Sequence, residues 1–228
     1  MTPLKLERLA AASGLVFALL LLVARLLVGE PVLPELQAGG LVRSYYLTNG
    51  GRLAAQGVLA GLASVFGLAF LASLTRVLWR QSRMPWLGPV VLAAGTAATA
   101  LELASAASLS ALVEFRQAEV LGATGGNAGG ALALFQLYQA LGRFTAWPLL
   151  ALVAAVTIGG RSIGLPTWLT GLGGVVALAL LLEGIGPDTS LGPITLYGFL
   201  AWVAATSLLL TRRRRDVSDE EASSSAVA

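Results

Sequence analysis

Residues Leu87 to Val113, LGPVVLAAGTAATALELASAASLSALV, decide how the rest of the chain is read. The stretch is 27 residues long, and 16 of them are Gly, Ala, Ser or Thr. As a helix it reaches about 40 Å at roughly 1.5 Å per residue, enough to cross a hydrocarbon core of about 30 Å. Lipid provides no hydrophobic force that sorts helix from helix, so association depends on close approach, which small side chains permit. One acid, Glu102, lies inside the stretch. A carboxyl at membrane depth is a functional candidate once a partner can be named. The stretch is therefore expected to be the packing hub of a membrane bundle, with Glu102 as its polar centre.

Composition supports that setting. The chain has 228 residues, 56% hydrophobic and 12% charged, with a mean hydropathy of +0.79. Soluble domains carry about 25% charge. Here the charges fall between and after apolar blocks of about 20 residues, as the enrichment of Lys and Arg in cytoplasmic loops requires. That placement argues against a nucleic-acid partner, despite a pI near 9.8. With no Cys and no His, disulfides, thiolate and imidazole metal ligands and imidazole-based triads are excluded. No cofactor or metal is expected. Fourteen Arg against one Lys, with abundant Ala, Leu and Gly, suggest a GC-rich bacterial source.

Working outward from residues 87–113, six spans are expected at about 9–29, 53–78, 87–113, 131–160, 167–185 and 194–211. The first is too long for a secretory signal core and lacks a small-residue cleavage pattern. Residues 30–52, with two prolines and two Gly pairs, and the Gly-rich residues 114–130 are expected to be external loops. The latter lack the Lys-Ser/Thr ending of a phosphate loop, so a connector is expected there. The fourth segment is too long for one straight crossing, so either it tilts or its first turns, at residues 131–142, lie in the outer interface, and Pro148 is expected to kink it. Residues 1–211 then form one bundle. Residues 212–228 follow as a polar tail, expected to be cytoplasmic and disordered. Ten Lys or Arg fall in the cytoplasmic segments and three in the external loops, which places both termini in the cytoplasm of a bacterial inner membrane.

Depth along each helix then groups the buried charges. Counted from the cytoplasmic end, Glu102 lies about 21 Å up its span, Arg25 about 24 Å, Arg143 about 26 Å and Glu183 about 27 Å. Arg143 carries Gln139 and Gln136 on its own helical face, and Gln56 of the second span is placed to join them. Arg143 is the first candidate partner of Glu102 and Arg25 the second. A directly paired cluster would reduce the cost of these charges in lipid.

At residues 159–174 the chain reads GGRSIGLPTWLTGLGG. An Arg-Ser, a short gap and then Leu-Pro-x-Trp-Leu between two hydrophobic helices resembles an uncharacterised bacterial family of six-helix integral membrane proteins. The short N-terminus, the longer first external loop and NGGRL at Asn49 to Leu53 are similar in layout. The resemblance implies the six-helix fold and no known activity. The leading expectation for function is a non-catalytic membrane component or accessory subunit. The alternative is a small carrier or channel for an ion, proton or polar solute that uses the Glu102/Arg143 layer. An enzyme ranks last, since no nucleophile or acid/base pair stands out. Expected partners are the lipid bilayer, other membrane subunits or a second copy of the chain.

Overall fold

The backbone is described here by a computed structural model over residues 3–28, 39–120, 128–186 and 192–227, with side chains over 9–27, 49–111, 114, 133–186 and 192–212. Among the described residues seven helices follow one another: α1 (Pro3–Val28), α2 (Gly39–Gln81), α3 (Leu87–Val120), α4 (Ala128–Phe144), α5 (Ala146–Gly160), α6 (Thr167–Ile185) and α7 (Gly192–Val227). Among the described residues there is no strand. Within those residues six stretches of helix are long and apolar enough to cross a bilayer: Leu9–Leu27, Asn49–Gln81, Leu87–Ala111, Ala133–Gly160, Thr167–Ile185 and Gly192–Arg212. The chain is an all-α, multi-pass membrane protein.

Two helices make the fourth span. Pro148 has no N–H to give to the Phe144 carbonyl, and its ring crowds that carbonyl. The helix accordingly breaks at Thr145, between α4 and α5. Hydrogen bonds bracket the break, from Thr145 N to Leu141 O at 3.1 Å and from Leu149 N to Thr145 O at 3.2 Å. The Thr145 hydroxyl adds a bond to Leu141 O at 2.9 Å.

Several segments expected to be irregular are helical instead. α2 begins at Gly39, inside the expected 30–52 loop, because no proline occurs after Pro34 to stop it and propagation is easy once a helix exists. α3 runs on to Val120 for the same reason; residues 121–127, the centre of the expected glycine-rich connector, lie outside the described residues. α7 continues past Arg212–Arg215 to Val227, so the tail is helical rather than disordered.

The helices pack as a closed ring. α1 lies against α2 and α7, α2 against α3, α3 against α4 and α5, α5 against α6, and α6 against α7. α3 is thus one stave among six, and its apolar window has the smallest buried share of the six spans. The expected hub is not there. The small residues of α3 serve close contact instead, since a Cβ added at Gly95 would collide with Leu71 of α2 and Leu152 of α5.

The same device works reciprocally between α1 and α2. The Phe70 ring fills the gap at Gly14, where a Cβ would lie 2.7 Å from it, and the Phe17 ring fills the gap at Gly67, at 2.9 Å. The ring closes between the first and last spans, where the Ser207 hydroxyl donates to the Ala11 carbonyl. Trp202, Val153, Val156, Leu74 and Leu78 are fully buried in the apolar centre of this half.

The turn from α5 to α6 explains the sequence at residues 160–166. Leu165 N bonds Gly160 O at 2.8 Å and Gly164 N bonds Arg161 O at 3.1 Å, the bond pattern of a Schellman ending. That ending needs a left-handed residue, and Gly164 supplies it with φ 71°. Pro166, at φ −63° and ψ 148°, then caps α6 without needing a donor.

Candidate functional site

Hydroxyls in lipid must find acceptors within the protein. Most here bond a carbonyl of their own helix: Ser64 to Ala60, Thr99 to Gly95, Ser108 to Ala104, Thr206 to Trp202. Such groups are satisfied and carry no chemistry. The side chains around the upper half of α3 are different.

A cavity of about 300 Å³ opens there, inside the ring, and every helix contributes to it. Arg25 comes from the end of α1, Gln56 and Ala60 from α2, and Glu102 and Ser105 from α3. α4 adds Tyr138, Gln139 and Arg143 just above its break, α6 adds Glu183, and α7 adds Thr195 and Phe199. Five of the six residues singled out from sequence, Glu102, Arg143, Gln139, Arg25 and Glu183, therefore meet around one space. The sixth, Gln136, is exposed and does not line it. Gln136 and Gln139 are three positions apart, about 300° of helical turn, so the common face assumed for both is only approximate.

The cluster is not bonded as expected. Among the described residues, neither Glu102 nor Glu183 lies within 4.0 Å of a guanidinium nitrogen, so no direct ion pair joins Glu102 to Arg143 or Arg25. Cavity space separates the charges. Two buried oxygens on the lining also lack a partner, Gln56 Oε1 and Thr195 Oγ1, in residues only 8% and 3% exposed. Three further hydroxyls without a partner, on Ser73, Thr75 and Thr157, lie away from this cavity.

A second cavity of about 80 Å³ lies directly below. Its walls are mostly apolar, with Phe17, Leu21, Phe70, Leu71, Leu152 and Val203 among them. Glu102, Thr145, Leu149 and Phe199 line both spaces and form the partition between them. Phe199 is held there edge-on to Phe17, with centroids 6.5 Å apart, and stacked on Trp202 at 6.3 Å.

Comparison with known protein families, curated proteins and solved structures finds no match. Function therefore rests on this site alone. Among the described residues no cluster of acids suits a metal ion. Thr195 and Tyr138 were not singled out from sequence. Thr195 was nonetheless within reach, because Thr195, Phe199, Trp202 and Thr206 form one buried stripe at helical spacing on α7.

Proposed function

We propose that this chain is a small carrier that binds a polar solute in the cavity ringed by Arg25, Glu102, Gln139, Arg143 and Glu183. The supporting observation is that these charges line a shared space without bonding one another. A purely structural cluster would lower its cost in lipid by direct contact, whereas separated charges of both signs around water-sized space suit a ligand. The cavity lies towards the end of the ring that holds the α1–α2, α3–α4 and α6–α7 connections. The opposite end carries Arg76, Arg80, Arg83 and Arg161, a charge bias that supports a cavity end facing outward and both termini in the cytoplasm, in a bacterial inner membrane. The similarity of RSIGLPTWL to an uncharacterised six-helix family is part of the same proposal.

Proteoliposomes test this with Glu102→Gln and Glu102→Ala beside the wild type. The Gln variant is expected to melt within a few degrees of wild type and to lose solute or proton flux. Wild-type vesicles no more permeable than empty ones, across a panel of ions and small solutes, would sink the carrier reading.

An accessory-subunit role is the second reading. α7 runs 36 residues, about 54 Å, and extends beyond its apolar span as a helix that offers a handle for another protein. Truncation after Arg215 that strips a stoichiometric partner from the detergent-purified complex would favour this role.

A further inference from the structure

We infer that the ligand is a small zwitterion, an ammonium and an acid group on one skeleton, with its apolar remainder lodged in the lower cavity beneath Glu102. The inference rests on the solute-binding reading above. Four observations lead to it.

The first is sign. At the level of the cavity the ring runs α1, α2, α3, α4, α6, α7, since α4 touches both α3 and α6. Arg25, Glu102, Arg143 and Glu183 therefore alternate in charge around it. The lining is neutral in sum, yet no cation in it touches an anion. A ligand of one sign would satisfy one pair and leave the like-charged pair without a counter-charge in a medium that solvates it badly. A ligand bearing both signs answers both pairs, its acid group taken by guanidinium and its ammonium by carboxylate on neighbouring staves of the ring.

The second is the pair of buried oxygens. Gln56 Oε1 only accepts hydrogen bonds and Thr195 Oγ1 is able to, and neither has a partner. An ammonium brings three donors. This favours a protonated amine over a second acceptor-rich group at that depth.

Size is the third. A volume of about 300 Å³ is the room of about ten waters at roughly 30 Å³ each, at the small end of ligand pockets. It suits an amino acid rather than a nucleotide or an oligosaccharide.

The fourth is the lower cavity. Its apolar walls and its volume of about 80 Å³ match a short branched alkyl chain, and Glu102 lines both this space and the one above it. A ligand whose amine rests on Glu102 therefore has the lower cavity next to its side chain.

A free amino acid and the phosphoethanolamine head of a lipid both carry the required charges, and one binding experiment separates them. The purified full-length chain in detergent is titrated with leucine, with 4-methylpentanoate and isoamylamine as its acid-only and amine-only analogues, with glycerophosphoethanolamine, and with sorbitol. Leucine is expected to bind saturably, and each single-charge analogue at least about ten-fold more weakly, given the strength of charge-assisted hydrogen bonds. Arg143→Gln should weaken leucine about ten- to a hundred-fold and leave isoamylamine unchanged, while Glu102→Gln spares 4-methylpentanoate. Glycerophosphoethanolamine binding more tightly than leucine supports the zwitterion and assigns its source to lipid. An analogue of one charge, or sorbitol, binding as well as leucine overturns the zwitterion and leaves solute binding standing. Saturable binding of none of them, with no flux in vesicles, overturns both.

Discussion

The two halves of the ring are built in opposite ways. Towards the arginine-rich end the helices touch through glycines that accept rings, Gly14 with Phe70 and Gly67 with Phe17, and Trp202 is fully buried between its neighbours. Towards the other end the same helices stand apart around Arg25, Glu102, Arg143 and Glu183. Small residues occur in both halves of α3, so their presence alone does not close a bundle. At Gly95 large partners reach in from α2 and α5, whereas Ala106 lines the cavity. Closure depends on what faces the small residue.

If that contrast is right, changes in the closed half cost stability and changes in the open half cost binding. The largest loss is expected for Trp202→Ala, about 3–5 kcal/mol by thermal or denaturant unfolding in detergent. Gly159→Val drives a branched side chain into Leu78, which a Cβ there would already meet at 2.8 Å, and should cost about 1–3 kcal/mol by the same measurement. A loss as large from Ala106→Val, on the cavity wall, would erase the distinction between the halves. Gly164→Ala puts a Cβ at φ 71° in the α5–α6 turn, with about 1–2 kcal/mol expected. The smallest effect is expected for Gln56→Leu, which removes a buried oxygen that bonds nothing; stability should change by less than about 1 kcal/mol while ligand binding falls. Because the chain has no native cysteine, Gln81→Cys also reports orientation. In intact cells it should react with a membrane-permeant maleimide and not with an impermeant one.

Much of this architecture is legible in the residues, for a specific reason. A helix must satisfy its backbone internally in lipid, so spans are announced by twenty or so apolar residues and their ends by arginine. The depth of the charges is legible too, because rise per residue is constant. Depth alone groups Arg25, Glu102, Arg143 and Glu183, which line one cavity. Depth does not give azimuth, however. Whether Glu102 touches Arg143 depends on how α3 and α4 rotate about their axes, and the break at Thr145 shifts α4 relative to the rest of its span. Helix extent beyond the apolar core was also hidden, because glycine pairs at 39–40 and 50–51 weaken a helix without ending one. The hub expected of α3 failed for a related reason: small residues mark close contact with neighbours, which a stave makes as readily as a central post.

The bond from Ser207 to Ala11 joins the last span to the first. Chain synthesis runs in one direction, so this seam forms only after α7 has been made. Until then a five-span intermediate presents Arg25 and Glu183 along an open edge, with α1 lacking its second neighbour. The order of translation thus keeps a set of charges in contact with lipid or with an insertion partner until the final helix arrives. Shortening the chain before Gly192 would leave that edge permanently open, with Arg25 and Glu183 beside it.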